Sequence, residues 1–131
     1  MSKNSIISGN NFTGGLLGYT DRNTNVSNCY SRNEVISSST ESVGGFVGRN
    51  NRSSIVSSYS TSTVINTSGD NISGKGFVGT VSDLSGYVMS RNVFDNDSTG
   101  QTSSTGASGR QSLLLSSYKV YTNWDFKYFI N

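Results

Sequence analysis

An all-β fold built from stacked repeats is what this sequence predicts, and three observations carry the prediction. Ser, Thr, Asn and Gly supply 27, 12, 15 and 15 residues, 69 of 131 together, while hydrophobic residues reach only 32%. These four are poor helix formers, so a helical globule is excluded. A charged disordered tail is equally excluded, because seven Tyr and six Phe accompany only 14% charged residues. Second, a glycine motif returns. Gly14-Gly15-Leu16-Leu17-Gly18 recurs thirty positions on as Gly44-Gly45-Phe46-Val47-Gly48, then as Gly76-Phe77-Val78-Gly79, with Lys75 where the first glycine stood. Third, there is no proline. That suits strands whose N–H groups must all donate to a ladder.

The other blocks follow in fixed order. Val26-Ser27-Asn28-Cys29-Tyr30-Ser31 matches Ile55-Val56-Ser57-Ser58-Tyr59-Ser60, and Val35-Ile36-Ser37 matches Val64-Ile65-Asn66. Ile6-Ile7-Ser8 stands ahead of Gly14 much as Val35-Ile36-Ser37 stands ahead of Gly44, so the chain reads as entering part-way through a repeat. Compositional drift would repeat the residue types but not this order. Each block has the length and β-branched content of a short strand, and each gap holds turn formers. Read as a continuous strand, the tyrosine block alternates. Val26, Asn28 and Tyr30 face in, and Ser27 and Ser31 face out.

Three strands per repeat, stacked at a fixed period, predict a β-solenoid of about three to four coils spaced about 4.8 Å apart. One thin inward column suffices for its core, and the Gly-Gly corner supplies a bend where backbone approaches backbone. One domain spans residues 1–131, with repeats at approximately 5–42, 43–74 and 75–110. In the third repeat a strand is predicted over Gly86–Phe94, with Phe94 inward so that Arg91 stays out. Residues 95–112 are rich in turn formers. Residues 111–131 concentrate Leu113, Leu114, Leu115, Tyr118, Tyr121, Trp124, Phe126, Tyr128 and Phe129. They are predicted to cap the open end, as a short helix near 111–117 followed by a strand.

The ordered set of motifs resembles GLUG-motif repeats. Gly-Gly-Leu-Leu-Gly and Gly-Gly-Phe-Val-Gly each precede an Asn-Cys-Tyr or Ser-Ser-Tyr block. Val93-Phe94-Asp95, Thr99-Gly100-Gln101-Thr102 and Trp124-Asp125-Phe126 resemble the way such arrays close, with Val-Phe in place of Tyr-Trp and Thr99 in place of Ser. The resemblance covers roughly residues 5–130. It implies a right-handed β-helix segment of a large surface or secreted protein. Such repeats occur in bacterial adhesin-like proteins and in non-catalytic parts of immunoglobulin-A-cleaving metalloproteases. It implies no catalytic residue.

The residues argue the same way. No His and a single Cys, Cys29, exclude Ser-His-Asp and Cys-His catalysis, His- or Cys-clustered zinc and an internal disulfide. A net charge of +2 without a basic run gives no reason to expect nucleic acid, and no apolar stretch is long enough to insert in a membrane. Met1–Ser5 lacks the apolar core of a signal peptide, which leaves a cytosolic chain or a piece of a secreted protein.

Six local features invite a sharper reading. Asp95-Asn96-Asp97-Ser98-Thr99-Gly100 opens like a calcium loop, but Gly106 stands where the bidentate Glu belongs, so a turn explains it better. Asp95 with Asp97, or Asp83 with Asp95, would supply a glycosidase pair, yet three or four coils make a short groove, and solvated turn aspartates are expected. Thr61-Ser62-Thr63 suggests a hydroxyl array, but Arg32-Asn33-Glu34 align with it. Sequons begin at Asn11, Asn25, Asn51, Asn66, Asn71 and Asn96, a number that composition alone would produce. Cys29 is expected as a wall residue, and Tyr30 over Tyr59 as an aromatic ladder holding the core rather than a sugar platform.

The expected function is therefore non-enzymatic. The chain reads as an extracellular or cell-surface stalk or adhesion module, with a host protein or glycan as partner and no catalytic residue, cofactor or metal. The alternative is a subunit that stacks end to end into a fibre, with Ile6 and Ile7 in the joint. A carbohydrate-active β-helix enzyme ranks third.

Overall fold

Thirty-residue spacing becomes strand-for-strand pairing in the computed structural model, which describes residues 5–111. The first pass of the chain makes β1 (Ser5–Gly9), β2 (Thr13–Gly14), β3 (Leu17–Thr20), β4 (Asn25–Ser27) and β5 (Tyr30–Ser31). The second makes β6 (Asn33–Ser37), β7 (Val43–Gly44), β8 (Val47–Asn50), β9 (Ser54–Val56) and β10 (Tyr59–Ser60). The third makes β11 (Thr63–Asn66), β12 (Val78–Val81), β13 (Met89–Ser90) and β14 (Val93–Asp95). One helical turn, α1 (Asn96–Thr99), and β15 (Ser108–Arg110) follow.

Like strands pair with like, always in parallel. The sheets run β1-β6-β11, β2-β7, β3-β8-β12, β4-β9-β13 and β5-β10-β14-β15. Register follows the sequence blocks: Val35 lies between Ile7 and Val64, and Val47 between Leu17 and Val78. The chain is all-β, as expected. Each full pass, however, contains five short strands rather than three.

One extra strand comes from the glycine corner, which divides its block into two strands, and the other from a bend inside the tyrosine block. Asn28, Ser57 and Arg91, at the same place in successive passes, have φ of 55°, 49° and 55°. A left-handed residue breaks the two-residue alternation, so the faces exchange across it. Val26 is buried, but Tyr30 is exposed and Ser31 is buried, the reverse of the expected parity. The same bend divides the strand expected over Gly86–Phe94 into β13 and β14. Phe94 is buried and Arg91 exposed, as expected, while Val93 is buried as well.

The motif glycines are demanded by close approach. A Cβ on Gly44 would lie 2.6 Å from the Gly79 nitrogen and 2.7 Å from the Phe77 carbonyl oxygen, and one on Gly48 2.6 Å from the Gly18 carbonyl oxygen. At Gly15 and Gly45 it would run into the carbonyl oxygens of Gly45 and Gly76. Hydrogen bonds tie the same corner together. Leu16 and Leu17 N–H donate to the Phe46 carbonyl at 2.9 and 3.1 Å, and Phe46 and Val47 N–H donate to that of Phe77 at 2.8 and 3.0 Å. Lys75 departs from the glycine pattern where the third pass leaves the β2-β7 sheet; its carbonyl accepts from Gly45 N–H at 2.9 Å, and it forms an antiparallel bridge with Ser104.

The core has two apolar clusters. Val26, Phe46, Val47, Ile55, Phe77, Val78 and Phe94 form the larger, in which the Phe46 and Phe77 rings stack at 4.6 Å. Val35, Val43, Val64 and Ile72 form the smaller. The interior is also polar, where one thin inward column was expected. Ser31, Ser37, Ser53, Ser58, Ser60, Ser62 and Asn50 are all buried. Ser31 Oγ donates to the Gly45 carbonyl at 2.7 Å, and Ser62 Oγ donates to Ser31 Oγ at 3.2 Å and accepts from Asn33 N–H at 3.0 Å.

Residues 101–105 lie across the third pass. Gln101 Oε1 accepts from Lys75 N–H at 3.1 Å, and Ser104 Oγ accepts from Phe77 and Val78 N–H at 2.8 and 3.1 Å. Phe77 and Val78 N–H stand where Phe46 and Val47 N–H donate to the following pass. The cap expected from residues 111–131, with its helix near 111–117 and Trp124-Asp125-Phe126, lies outside the described residues apart from Gln111.

Gly44→Ala pushes a methyl group into backbone of the next pass, which cannot yield as a side chain would. It is expected to cost about 1–3 kcal/mol or more. Gly69→Ala, at φ 90° with nothing within 4 Å of the new Cβ, is strained only through its own backbone, for about 1 kcal/mol. Urea unfolding of the two variants checks the order.

Candidate functional site

A concave corner forms where β5 and β10 turn into β6 and β11. Tyr30 and Tyr59 line one wall, with their rings stacked at 5.3 Å and 12°. Glu34 and Thr63, paired across β6 and β11, line the other. Arg32 and Thr61 belong to the same cavity of about 680 Å³. The tyrosine ladder expected in the core is therefore on the outer surface, because the left-handed bends at Asn28 and Ser57 turn those side chains out. Tyr30 is 54% exposed and Tyr59 is half-buried. Burial, then the neighbouring Tyr30, raises the Tyr59 pKa, and Arg32 opposes them. An aromatic wall facing a guanidinium, a carboxylate and hydroxyls offers both stacking and hydrogen bonding to a polar ligand.

The other sequence candidates have identifiable structural work. Asp95 caps α1: its Oδ1 accepts from Asp97 N–H at 2.9 Å and Ser98 N–H at 3.3 Å, and its Oδ2 accepts from Ser98 Oγ at 2.6 Å. The segment read as a turn or the start of a calcium loop is thus a capped helical turn closed by Gly100 at φ 68°. Among the described residues no group of three His, Cys, Asp or Glu side chains is placed to hold a metal. Asp83 Oδ2 pairs with Arg52 Nε at 2.9 Å, and Asp83 Oδ1 accepts from Ser85 N–H at 2.9 Å. The Ser85 hydrogen bonds first, then Arg52, lower its pKa to about 2. Thr63 does pair with Glu34, the alignment that argued against a hydroxyl array.

Cys29 stands in the wall as expected, in a column with Ser58. Cys29 Sγ donates to the Ser27 carbonyl at 3.2 Å, and Ser58 Oγ donates to that of Val56 at 3.0 Å. Each later member of the column receives the backbone N–H of the earlier one. Cys29 N–H donates to Ser58 Oγ at 3.3 Å, and Ser58 N–H to Asn92 Oδ1 at 3.1 Å. Asn92 Nδ2 then donates to the Ile55 and Gly106 carbonyls at 2.8 and 3.1 Å. Sequence reasoning missed Asn92. The signal was present, because Asn92 follows the left-handed Arg91 as Cys29 follows Asn28 and Ser58 follows Ser57.

The model of the GLUG motif family matches residues 39–65. That stretch holds the Gly44–Gly48 corner, β9, the bend at Ser57, β10 and most of β11. Residues 39–65 carry a GLUG motif. Comparison with curated proteins and with solved structures found no match. The glycines of that motif are thus crowded by backbone of adjacent passes, the following one at Gly44 and Gly45 and the preceding one at Gly48, and its tyrosine, Tyr59, lines the concave corner.

Two outcomes follow. Asn92→Ala leaves the buried Ser58 N–H and Ile55 carbonyl without their partner, and is expected to cost about 1–3 kcal/mol in urea unfolding. Asp83 has a folded-state pKa below its ordinary carboxylate value, so its contribution is present above about pH 4 and is lost as pH falls through about 2. The stability gap between the parent chain and Asp83→Asn should therefore be present at about pH 5 and close by about pH 2, as followed by thermal unfolding.

Proposed function

We propose that this GLUG-motif chain is a short right-handed β-solenoid and that it serves as a non-enzymatic stalk or adhesion module of an extracellular or cell-surface protein. The observation that carries the reading is the strand-for-strand parallel register of successive passes, locked at a glycine corner. Each pass then adds about 4.8 Å of length while repeating the same walls. Extension without new chemistry is what a spacer requires. The concave corner beside Tyr30, Tyr59, Arg32 and Glu34 is the surface on which contact with a host protein or glycan is proposed.

End-to-end fibre growth is the second reading. Ile6, Phe12, Leu16 and Tyr19, all in the first pass, are exposed, which supports association through that pass. Gln101 and Ser104 on the third-pass donors weigh against an equally open opposite end. The carbohydrate-active enzyme is the least supported, since Asp95 is the helix cap and Asp83 pairs with Arg52.

Deleting residues 33–61 removes one pass and joins Arg32 to Ser62 in register. Small-angle scattering should record a folded particle shorter by about 5 Å, and duplicating the segment should lengthen it equally. Unfolding on deletion, or a change in girth instead of length, would contradict the spacer reading. A glycan and host-protein screen of the parent chain against Tyr30→Ala tests the adhesion half, and binding lost with Tyr30 is the expected result.

A further inference from the structure

The concave corner holds two opposite charges that do not neutralise each other. Tyr30, Arg32 and Glu34 line it from one pass, and Tyr59, Thr61 and Thr63 from the next. Among the described residues, neither the Arg32 guanidinium nor the Glu34 carboxylate makes a hydrogen bond or an ion pair, with the other or with a third group. Arg32 is exposed and Glu34 half-buried. Arg32 acts on the Tyr59 phenol, whose pKa burial raises, so that hydroxyl keeps its proton beside the guanidinium. Glu34 belongs to the facing wall, in register with Thr63. Thr61 lies between the walls, and its Oγ1 is buried with no hydrogen-bond partner.

We propose that the corner binds a carboxylated sugar, the acidic residue of a glycan chain. Arg32 presents a planar fork of N–H donors that matches a carboxylate in two parallel hydrogen bonds. Glu34, across the cavity, accepts from ring hydroxyls, which are donors that a sugar carries in excess. The tyrosine wall offers aromatic surface to the C–H face of the ring. A ligand with an anionic group on one side and hydroxyls on the other therefore meets both walls. A neutral sugar leaves Arg32 unmatched, and a second anionic group meets Glu34. The volume, about 680 Å³, lies within the range of about 300–1,000 Å³ that small-ligand sites occupy. An acidic peptide fits less well. Extended peptides gain main-chain hydrogen bonds by adding to a sheet. The walls give no such opening at their inner strands, because β10 already pairs with β5 and β14, and β6 with β1 and β11. Recognition then falls to side chains. This assignment rests on the adhesion reading and names the chemistry of its ligand.

The test is calorimetric titration with defined probes. Two carry a carboxylate, a hexuronate tetrasaccharide and an oligosaccharide ending in a keto-acid sugar, and comparing them shows which kind of acidic sugar the corner takes. The third is the same tetrasaccharide with its carboxyl groups reduced to alcohols, and the fourth is a short glutamate peptide. At least one acidic sugar should bind, and the carboxyl-reduced probe should bind at least about tenfold more weakly. Arg32→Gln should weaken the acidic sugar at least about tenfold as well. Arg22→Gln removes the same charge from an exposed position outside the corner and should change little. Far-UV circular dichroism checks that each variant keeps its β-rich fold. Four results would overturn the proposal: no binding of either acidic sugar, equal binding of the reduced probe, equal effects of Arg32→Gln and Arg22→Gln, or tighter binding of the peptide. Equal binding of the reduced probe leaves glycan adhesion standing and removes only the acidic sugar. A blank result here together with a blank glycan and host-protein screen removes both.

Discussion

Backbone touching backbone at the glycine corner is the constraint from which the rest of this molecule follows. Gly14, Gly44, Gly15, Gly45, Gly48 and Gly79 leave no room for a Cβ because main-chain atoms of adjacent passes fill it. Such proximity lets the N–H groups of one pass reach the carbonyls of the next and fixes the register of every sheet. Once the corner is in register, Phe46 must lie on Phe77, Val47 beside Val78 and Tyr30 over Tyr59. A GLUG motif thus states a steric requirement, and Lys75 marks the place where the stacking that imposes it stops.

The corner also explains how so few apolar residues suffice. Glycine pairs bring carbonyl groups into the interior, and those carbonyls need donors. Ser31 and Asn33 supply them, reaching Gly45 and Gly15 at 2.7 and 2.6 Å. Buried hydroxyls and amides would each be destabilising without partners. Here they satisfy main-chain groups that short strands and sharp bends leave over. The high Ser and Asn content is in part the composition of the core, with apolar packing restricted to one valine cluster and one cluster centred on three phenylalanines.

Much of this was legible in the sequence, for a physical reason. Glycine spacing reports a steric clash that few other arrangements create, so the repeat, the all-β class and the parallel order of the blocks could be read from residues 14–18, 44–48 and 76–79. Cys29 was legible as a wall residue because no base accompanies it. The faces of Tyr30 and Ser31 were not. Alternation holds only while backbone stays extended, and nothing in Asn28, Ser57 and Arg91 as residue types announces three left-handed conformations at one position. The polar interior was missed for a related reason, since serine in a strand reads as surface unless a carbonyl waits behind it. Asp95 was read as turn or ligand because its role as a helix cap depends on a helix of only one turn.

Glycine corner and polar interior together describe successive passes in parallel register, held by main-chain contact. The central claim is that inter-pass contact at the glycine corner holds the fold. Native-state hydrogen exchange addresses it directly. Leu16, Leu17, Gly45, Phe46 and Val47 amides, which donate to the following pass, should exchange together and only through global unfolding. If they exchange at the rates of exposed turns while the valine cluster stays protected, the corner is a passive bend and the account is wrong.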